Sequence, residues 1–217
     1  MNCNKTLINW FGLSGLIALI SYTAAVIISP FYYPGYNWKK QAVSDLSADN
    51  APSKSSWNRI ASLYNVCSVV CCSCVSIHIS EKKQFSKIFK IGIYIFTIMQ
   101  WISNVGYGSF PLSESGKDII TFQEIMHIIV TILVVLLSII SLICIIIAGF
   151  KKVEERIISI LAFIALIMMF VGAVGQGIVP KEYFGIIERF SVFSAVGFNA
   201  ILGIYLFINF GEKKTLL

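Results

Sequence analysis

Six long stretches of the chain carry no Asp, Glu, Lys or Arg: 6–38, 60–80, 91–113, 125–150, 157–180 and 190–211. Each is as long as the roughly 20 residues that a helix rising ~1.5 Å per residue needs to cross ~30 Å of hydrocarbon. None shows the alternating polarity that ~10-residue barrel strands require. The pattern predicts an all-α polytopic membrane protein, a six-transmembrane-helix bundle forming one domain over 1–217. The helices are expected at about 7–29, 57–79, 88–110, 125–149, 157–179 and 186–210. Pro30, Pro34, Pro52, Pro111 and Pro180 all fall at or beyond helix ends, where a missing N–H does no harm. The apolar run Leu7 to Ile28 exceeds the roughly 7–15 residues of a signal-peptide core, and Pro30-Phe31-Tyr32 is not a small-residue cleavage site. The first helix is therefore expected to be retained. Met1-Asn2-Cys3 is not a myristoylation start.

Composition agrees with the pattern: 57% of the 217 residues are hydrophobic and 13% are charged, against roughly 25% charged in soluble domains. The charges then orient the bundle. One side would carry Lys5, Lys82, Lys83, Lys87, Lys90, Lys151, Lys152, Arg156, Lys213 and Lys214. The other balances seven basic residues with seven acidic ones. Lys and Arg mark the cytoplasmic side, so a cell-membrane protein with both termini cytoplasmic is expected. The net charge of +6 belongs to this rim and implies no nucleic-acid partner.

The other side holds a connection far longer than the rest, residues 30–56, with the most polar run of the chain, KKQAVSDLSADNAPSKSSWNRI. Polar residues inside the helices cluster toward the same side. They are Asn58, Ser62 and Asn65; Gln100, Ser103, Asn104 and Tyr107; Glu124, His127 and Thr131; Gln176; and Glu188, Arg189 and Ser191. Intramembrane polar groups turn toward one another or toward water. A polar pocket or plug is expected there, covered by a loop that folds back over helices 2, 3, 4 and 6. Asp45, drawn to the interface by Tyr36, Trp38 and Leu46, would need a strong donor, and Arg189 is the preferred one.

Two functional classes fit. In the first, Ser44, Asp45, Asn58, Asn104, His127, Glu188 and Arg189 bind a small anionic or amphiphilic ligand such as a lipid headgroup, with membrane lipids as the natural partners. In the second, an intramembrane hydrolase uses Ser44 as nucleophile, His127 as base and Asp45 or Glu188 as orienting acid. No nucleophile elbow and no H-E-x-x-H supports the second class, so the non-enzymatic reading is favoured. An architectural role is the plain alternative for these groups: Ser44-Asp45 capping a short helix, and Glu188 and Arg189 joining Asp45 or Glu124. Cys67, Cys71, Cys74 and His78 share a helical stripe, but Cys67 and His78 are ~16 Å apart in rise. Packing explains the stripe better than a metal site. No metal or cofactor is expected.

The runs "SDLSADNAPSKSSWN", "GSFPLSESGKD" with His127 beyond it, and "GIIERF" resemble the prokaryotic membrane family of unknown function number 998, over nearly the whole chain. That family has a Ser-Asp-Leu-Gly loop motif, and here Ser47 stands in the glycine position. The resemblance implies a six-helix fold and marks Ser44, Asp45, Asn58, Phe110, Pro111, His127, Glu188 and Arg189 as motif residues. More distantly, "SDLSADNAPSKSS" and "FQEIMHIIVT" are similar to parts of the eukaryotic DRAM and Sfk-type six-helix proteins. Neither relationship implies an established chemistry.

Overall fold

A computed structural model describes residues 5–114 and 121–208. Among these the chain is helical, with no strand. Six helical segments are long and apolar enough to cross a membrane: span 1 (Leu7–Tyr32), span 2 (Lys54–Glu81), span 3 (Lys87–Ser109), span 4 (Phe122–Lys151), span 5 (Arg156–Gly175) and span 6 (Lys181–Phe207). The chain is a multi-pass membrane protein.

The largest departures from the sequence expectation have local causes. Span 2 starts at Lys54 rather than 57, because Lys54–Ile60 adds a polar helix ahead of the apolar run. Span 4 starts at Phe122, where Thr121 and Glu124 form a capping box that satisfies the first free N–H groups. Span 5 stops at Gly175 and span 6 enters through a short 3-10 turn, Lys181–Tyr183, after Pro180. The expected end of the sixth helix, 209–210, lies outside the described residues.

Consecutive spans pack side by side, and span 6 closes the bundle against spans 1 and 2. Spans 1 and 6 approach closely where Gly203 faces Gly12; a Cβ on either would strike the other's carbonyl oxygen. Phe89, Phe96, Leu142, Ile158 and Phe198 belong to the main core, with the Phe96 and Phe198 rings edge-to-face at 5.3 Å. At the end where spans 3 and 5 begin, the buried Glu155 carboxylate accepts from the Ser86 N–H at 2.6 Å and its hydroxyl at 2.8 Å. This joins the two hairpins. A second, aromatic-rich cluster lies toward the opposite end, where Tyr22, Val43 and Val196 meet Trp57, Tyr64 and Phe193.

Span 2 is interrupted once. Its two helices, Lys54–Ile60 and Ser62–Glu81, meet at buried Ala61. At this break Ser21 of span 1 donates to the Ile60 carbonyl at 2.6 Å and accepts from the Tyr64 N–H at 3.2 Å. One hydroxyl thus takes the place of a missing backbone bond, a recognised cause of a helix bend.

Candidate functional site

The segment between spans 1 and 2 is held down by span 6. Its backbone turns inward, so that carbonyls and N–H groups meet the side chains at the start of that span. Arg189 donates to Trp38 O at 2.8 Å, Gln41 O at 3.2 Å, Gly185 O and the Tyr36 hydroxyl at 2.8 Å. Glu188 accepts from the Val43 N–H at 2.9 Å. The Lys39 carbonyl accepts from the Gly185 N–H at 2.9 Å, in the first turn of the helix, where N–H groups have no partner within the helix. Gly185 is required by this approach, since a Cβ there would collide with the Gln41 and Trp38 carbonyls.

Arg189 and Asp45 are therefore not the ion pair expected from the sequence. Arg189 reaches backbone oxygens and a phenol instead. Asp45, 8% exposed, turns on its own segment and accepts from the Ala42 N–H at 3.0 Å. The two are linked by a relay: Arg189 to the Tyr36 hydroxyl, that hydroxyl to Ala42 O at 2.8 Å, and the Ala42 N–H to Asp45. Burial pushes the Tyr36 phenol up to about 12, against the pull of the neighbouring guanidinium. Glu124, the other expected charge partner, takes part in its own helix cap.

Ser44–Ser47 forms a 3-10 turn. Its Ser47 hydroxyl donates to Ser44 O at 3.0 Å, so the residue in the usual glycine position closes the turn with its side chain. Farther along, Asp49 is bound by Lys54 at 2.6 Å and Gln123 of span 4 at 3.0 Å, and these donors hold its carboxyl below the usual aspartate value.

His127 lies in a different neighbourhood. Its Nδ1 donates to Phe110 O at 2.9 Å and its ring packs against Tyr107 at 5.0 Å. No hydrogen bond joins it to Ser44, Asp45 or Glu188, so the residue types of a triad are not connected as one.

Asn58 and Asn104 stand in a third neighbourhood, the face of spans 2 and 3. An open cleft of about 580 Å³ is lined by Lys54, Ser55, Asn58 and Arg59 together with Ala51 and Pro52. Below it, a groove of about 530 Å³ runs between the two spans. Val66, Val69, Val70 and Val105 give it apolar walls, and Trp101 closes one side with its indole N–H on Ser73 at 3.2 Å. Ser55, Asn58, Ser62, Asn65, Val69 and Ser73 follow one another at steps of three and four, so cleft and groove share one helical stripe.

This face is rich in unsatisfied polar groups. The Arg59 guanidinium and the Asn65 amide have no hydrogen-bond or ion-pair partner among the described residues, and both side chains are exposed. Behind the groove, Asn104 donates to Ser68 at 3.1 Å, and Asn199 donates to Ser68 O at 3.3 Å. The Asn104 and Asn199 side-chain oxygens and the Gln100 side-chain nitrogen have no partner among the described residues. Sequence reasoning missed Lys54, Arg59 and Trp101 as site residues and counted Tyr36 only as an interfacial aromatic. The three-and-four spacing from Ser55 to Ser73 marks these residues as one stripe, but spacing alone does not say which way the stripe faces.

The cysteines diverge. Cys71 is buried against Gly15 and Gly203, whereas Cys74 lines the groove. Among the described residues no three of His, Cys, Asp and Glu come together in a metal-like group.

A family model described as "Protein of unknown function (DUF998)" matches residues 16–205, and the chain belongs to that family. No curated protein and no solved structure matches it, so these comparisons do not extend the likeness to the DRAM and Sfk-type proteins.

Proposed function

We propose that this member of the DUF998 family binds a small amphiphilic molecule, holding it on spans 2 and 3 or passing it along them. The observation that carries this reading is the stacking of two recesses on one stripe. Ser55 and Asn58 of the stripe line a polar, cationic cleft, and Asn65, Val69 and Ser73 of the same stripe line a largely apolar groove, a succession that matches the polarity profile of an amphiphile lying along a membrane helix. The groove volume of about 530 Å³ falls within the roughly 300–1,000 Å³ typical of small-molecule sites. In this reading the Arg189 clamp is architecture. It fixes the segment that carries Asp49 and Ala51, and so shapes one wall of the cleft. Ser44, Asp45 and Glu188 serve the ligand indirectly, through that segment.

We further place the protein in the cell membrane with both termini cytoplasmic and the cleft facing outward, on the strength of the basic asymmetry. A single cysteine at position 54 in a Cys-free background should be labelled from outside. Labelling only from the cytoplasmic face overturns the orientation.

The function itself is tested by native mass spectrometry of gently extracted protein. One amphiphile per chain is expected, lost when Val105→Trp fills the groove. A protein that never carries such a molecule sinks the proposal. Labelling of Ser44 by a fluorophosphonate probe would replace it with the hydrolase.

A further inference from the structure

We propose that the occupant of these two recesses is an anionic phospholipid, with its phosphate on Arg59, a chain-linkage carbonyl on Asn65 and one acyl chain in the groove. The inference rests on the amphiphile reading and names the chemistry of the ligand.

The cleft has two cations, and they differ. Lys54 is neutralised by Asp49 at 2.6 Å, whereas Arg59 has no partner among the described residues. The cleft thus retains one positive charge, and it is carried by the side chain whose planar fork matches a phosphate. Asn65 is the second observation. An exposed amide on a membrane-facing surface is costly unless something accepts from it, and none of the described residues does. It lies six residues beyond Arg59, a rise of ~9 Å. The headgroup layer on each side of the hydrocarbon is ~5–7 Å thick, shorter than that rise, and the long Arg59 side chain makes up the difference by bending toward the phosphate of a lipid whose ester or amide carbonyl meets Asn65. Below that point the lining turns apolar, with Val66, Val69 and Val70 facing Trp101. Cation, hydrogen-bond donor and hydrocarbon wall occur in the order in which a phospholipid presents anion, acceptor and chain. A free phosphate would use only the first of these.

The test is a titration of the delipidated full chain with phosphatidylglycerol and phosphatidylcholine of matched chains, read by native mass spectrometry. Three variants accompany the wild type: Arg59→Gln, Asn65→Leu and Val66→Trp. Val66 is 64% exposed, so Val66→Trp should fold normally, and an unchanged melting temperature checks this. The wild type should retain phosphatidylglycerol ~10-fold more tightly, since both lipids offer a phosphate to Arg59 but phosphatidylcholine also brings a choline cation, which the guanidinium repels. Arg59→Gln should erase that preference. Asn65→Leu should weaken both lipids by a similar factor of ~5, the effect of one hydrogen bond. Val66→Trp should release both. Equal retention of the two lipids by the wild type would overturn the anionic assignment and leave the amphiphile reading standing. Retention of both lipids by Val66→Trp would overturn the groove, and the amphiphile reading with it. Inorganic phosphate that binds wild type and Val66→Trp alike, while neither lipid is retained, would make this a free-anion site and overturn the proposal.

Discussion

Two arginines stand at the same end of the bundle in opposite circumstances. Arg189 finds the Trp38, Gln41 and Gly185 carbonyls and the Tyr36 hydroxyl. Arg59 finds no described partner at all. The same contrast holds for their neighbours: Glu188 is occupied by the Val43 N–H, while Asn65 faces outward with an idle amide. A charge whose bonding is completed by its own backbone is holding the fold, and breaking it exposes groups that have nowhere else to turn. A polar group left open on a membrane-facing surface is available to something that is not part of the chain. The contrast separates architecture from binding more sharply than residue type does.

The comparison is broken most forcefully at the clamp. Arg189→Gln leaves several half-buried carbonyls without donors and should cost ~3 kcal/mol, the upper end for hydrogen bonds made by a charged group. In matched detergent that is a fall of roughly 6–12 °C in melting temperature. Gly185→Val should do comparable harm by overpacking, at ~3 kcal/mol, and should also expose the segment around Trp38 to protease. A stable Arg189→Gln protein would show that the clamp is ornamental.

A smaller effect is expected at the relay. Tyr36→Phe removes one hydroxyl that both accepts from Arg189 and donates to Ala42 O, costing ~1–2 kcal/mol. It should also change the alkaline response. Burial pushes the folded-state phenol up from its ordinary 10.0 to about 12. Its contribution is therefore complete below pH 10 and is lost as pH rises toward 12. Melting curves between these values should flatten in Tyr36→Phe relative to wild type.

Weaker still is Asp49. Its carboxyl sits below the ordinary value of 3.8, so its stabilisation is present above that pH and disappears as acid carries the solution down through the folded-state value. The pair with Lys54 is exposed, and Asp49→Asn should cost at most ~0.5 kcal/mol while removing that acid dependence. The smallest effect sharpens the contrast. Asn65→Leu should leave melting within ~0.5 kcal/mol of wild type, because no bond inside the protein is lost. A large loss of stability there would return Asn65 to the architectural class.

The six spans were legible because hydrocarbon excludes charge, and that exclusion is written residue by residue in windows such as 125–150 and 190–211. The clamp was only half legible. Glu188 and Arg189 were visible as strong groups near the interface, but their partners are the backbone atoms of Trp38, Gln41 and Val43, which carry no signature in residue type. Coulombic reasoning consequently sent Arg189 to Asp45, the nearest suitable side chain in concept. The groove was illegible for another reason. Asn58, Asn65 and Asn104 were all noticed, yet whether an amide points into the bundle or out of it depends on helix rotation. In span 2, where polar and apolar residues share most faces, hydropathy barely specifies that rotation.

The break at Ala61 makes span 2 a lever with a fulcrum. The short arm carries Lys54 and Arg59, the long arm carries Asn65 and the valines, and the pin is Ser21, contributed by a different span. A molecule gripping both arms would set the angle between them, and by reciprocity that angle sets how well it is gripped. Span 1 lines neither recess. On this view it nevertheless governs both, because a single hydroxyl determines where the lever comes to rest.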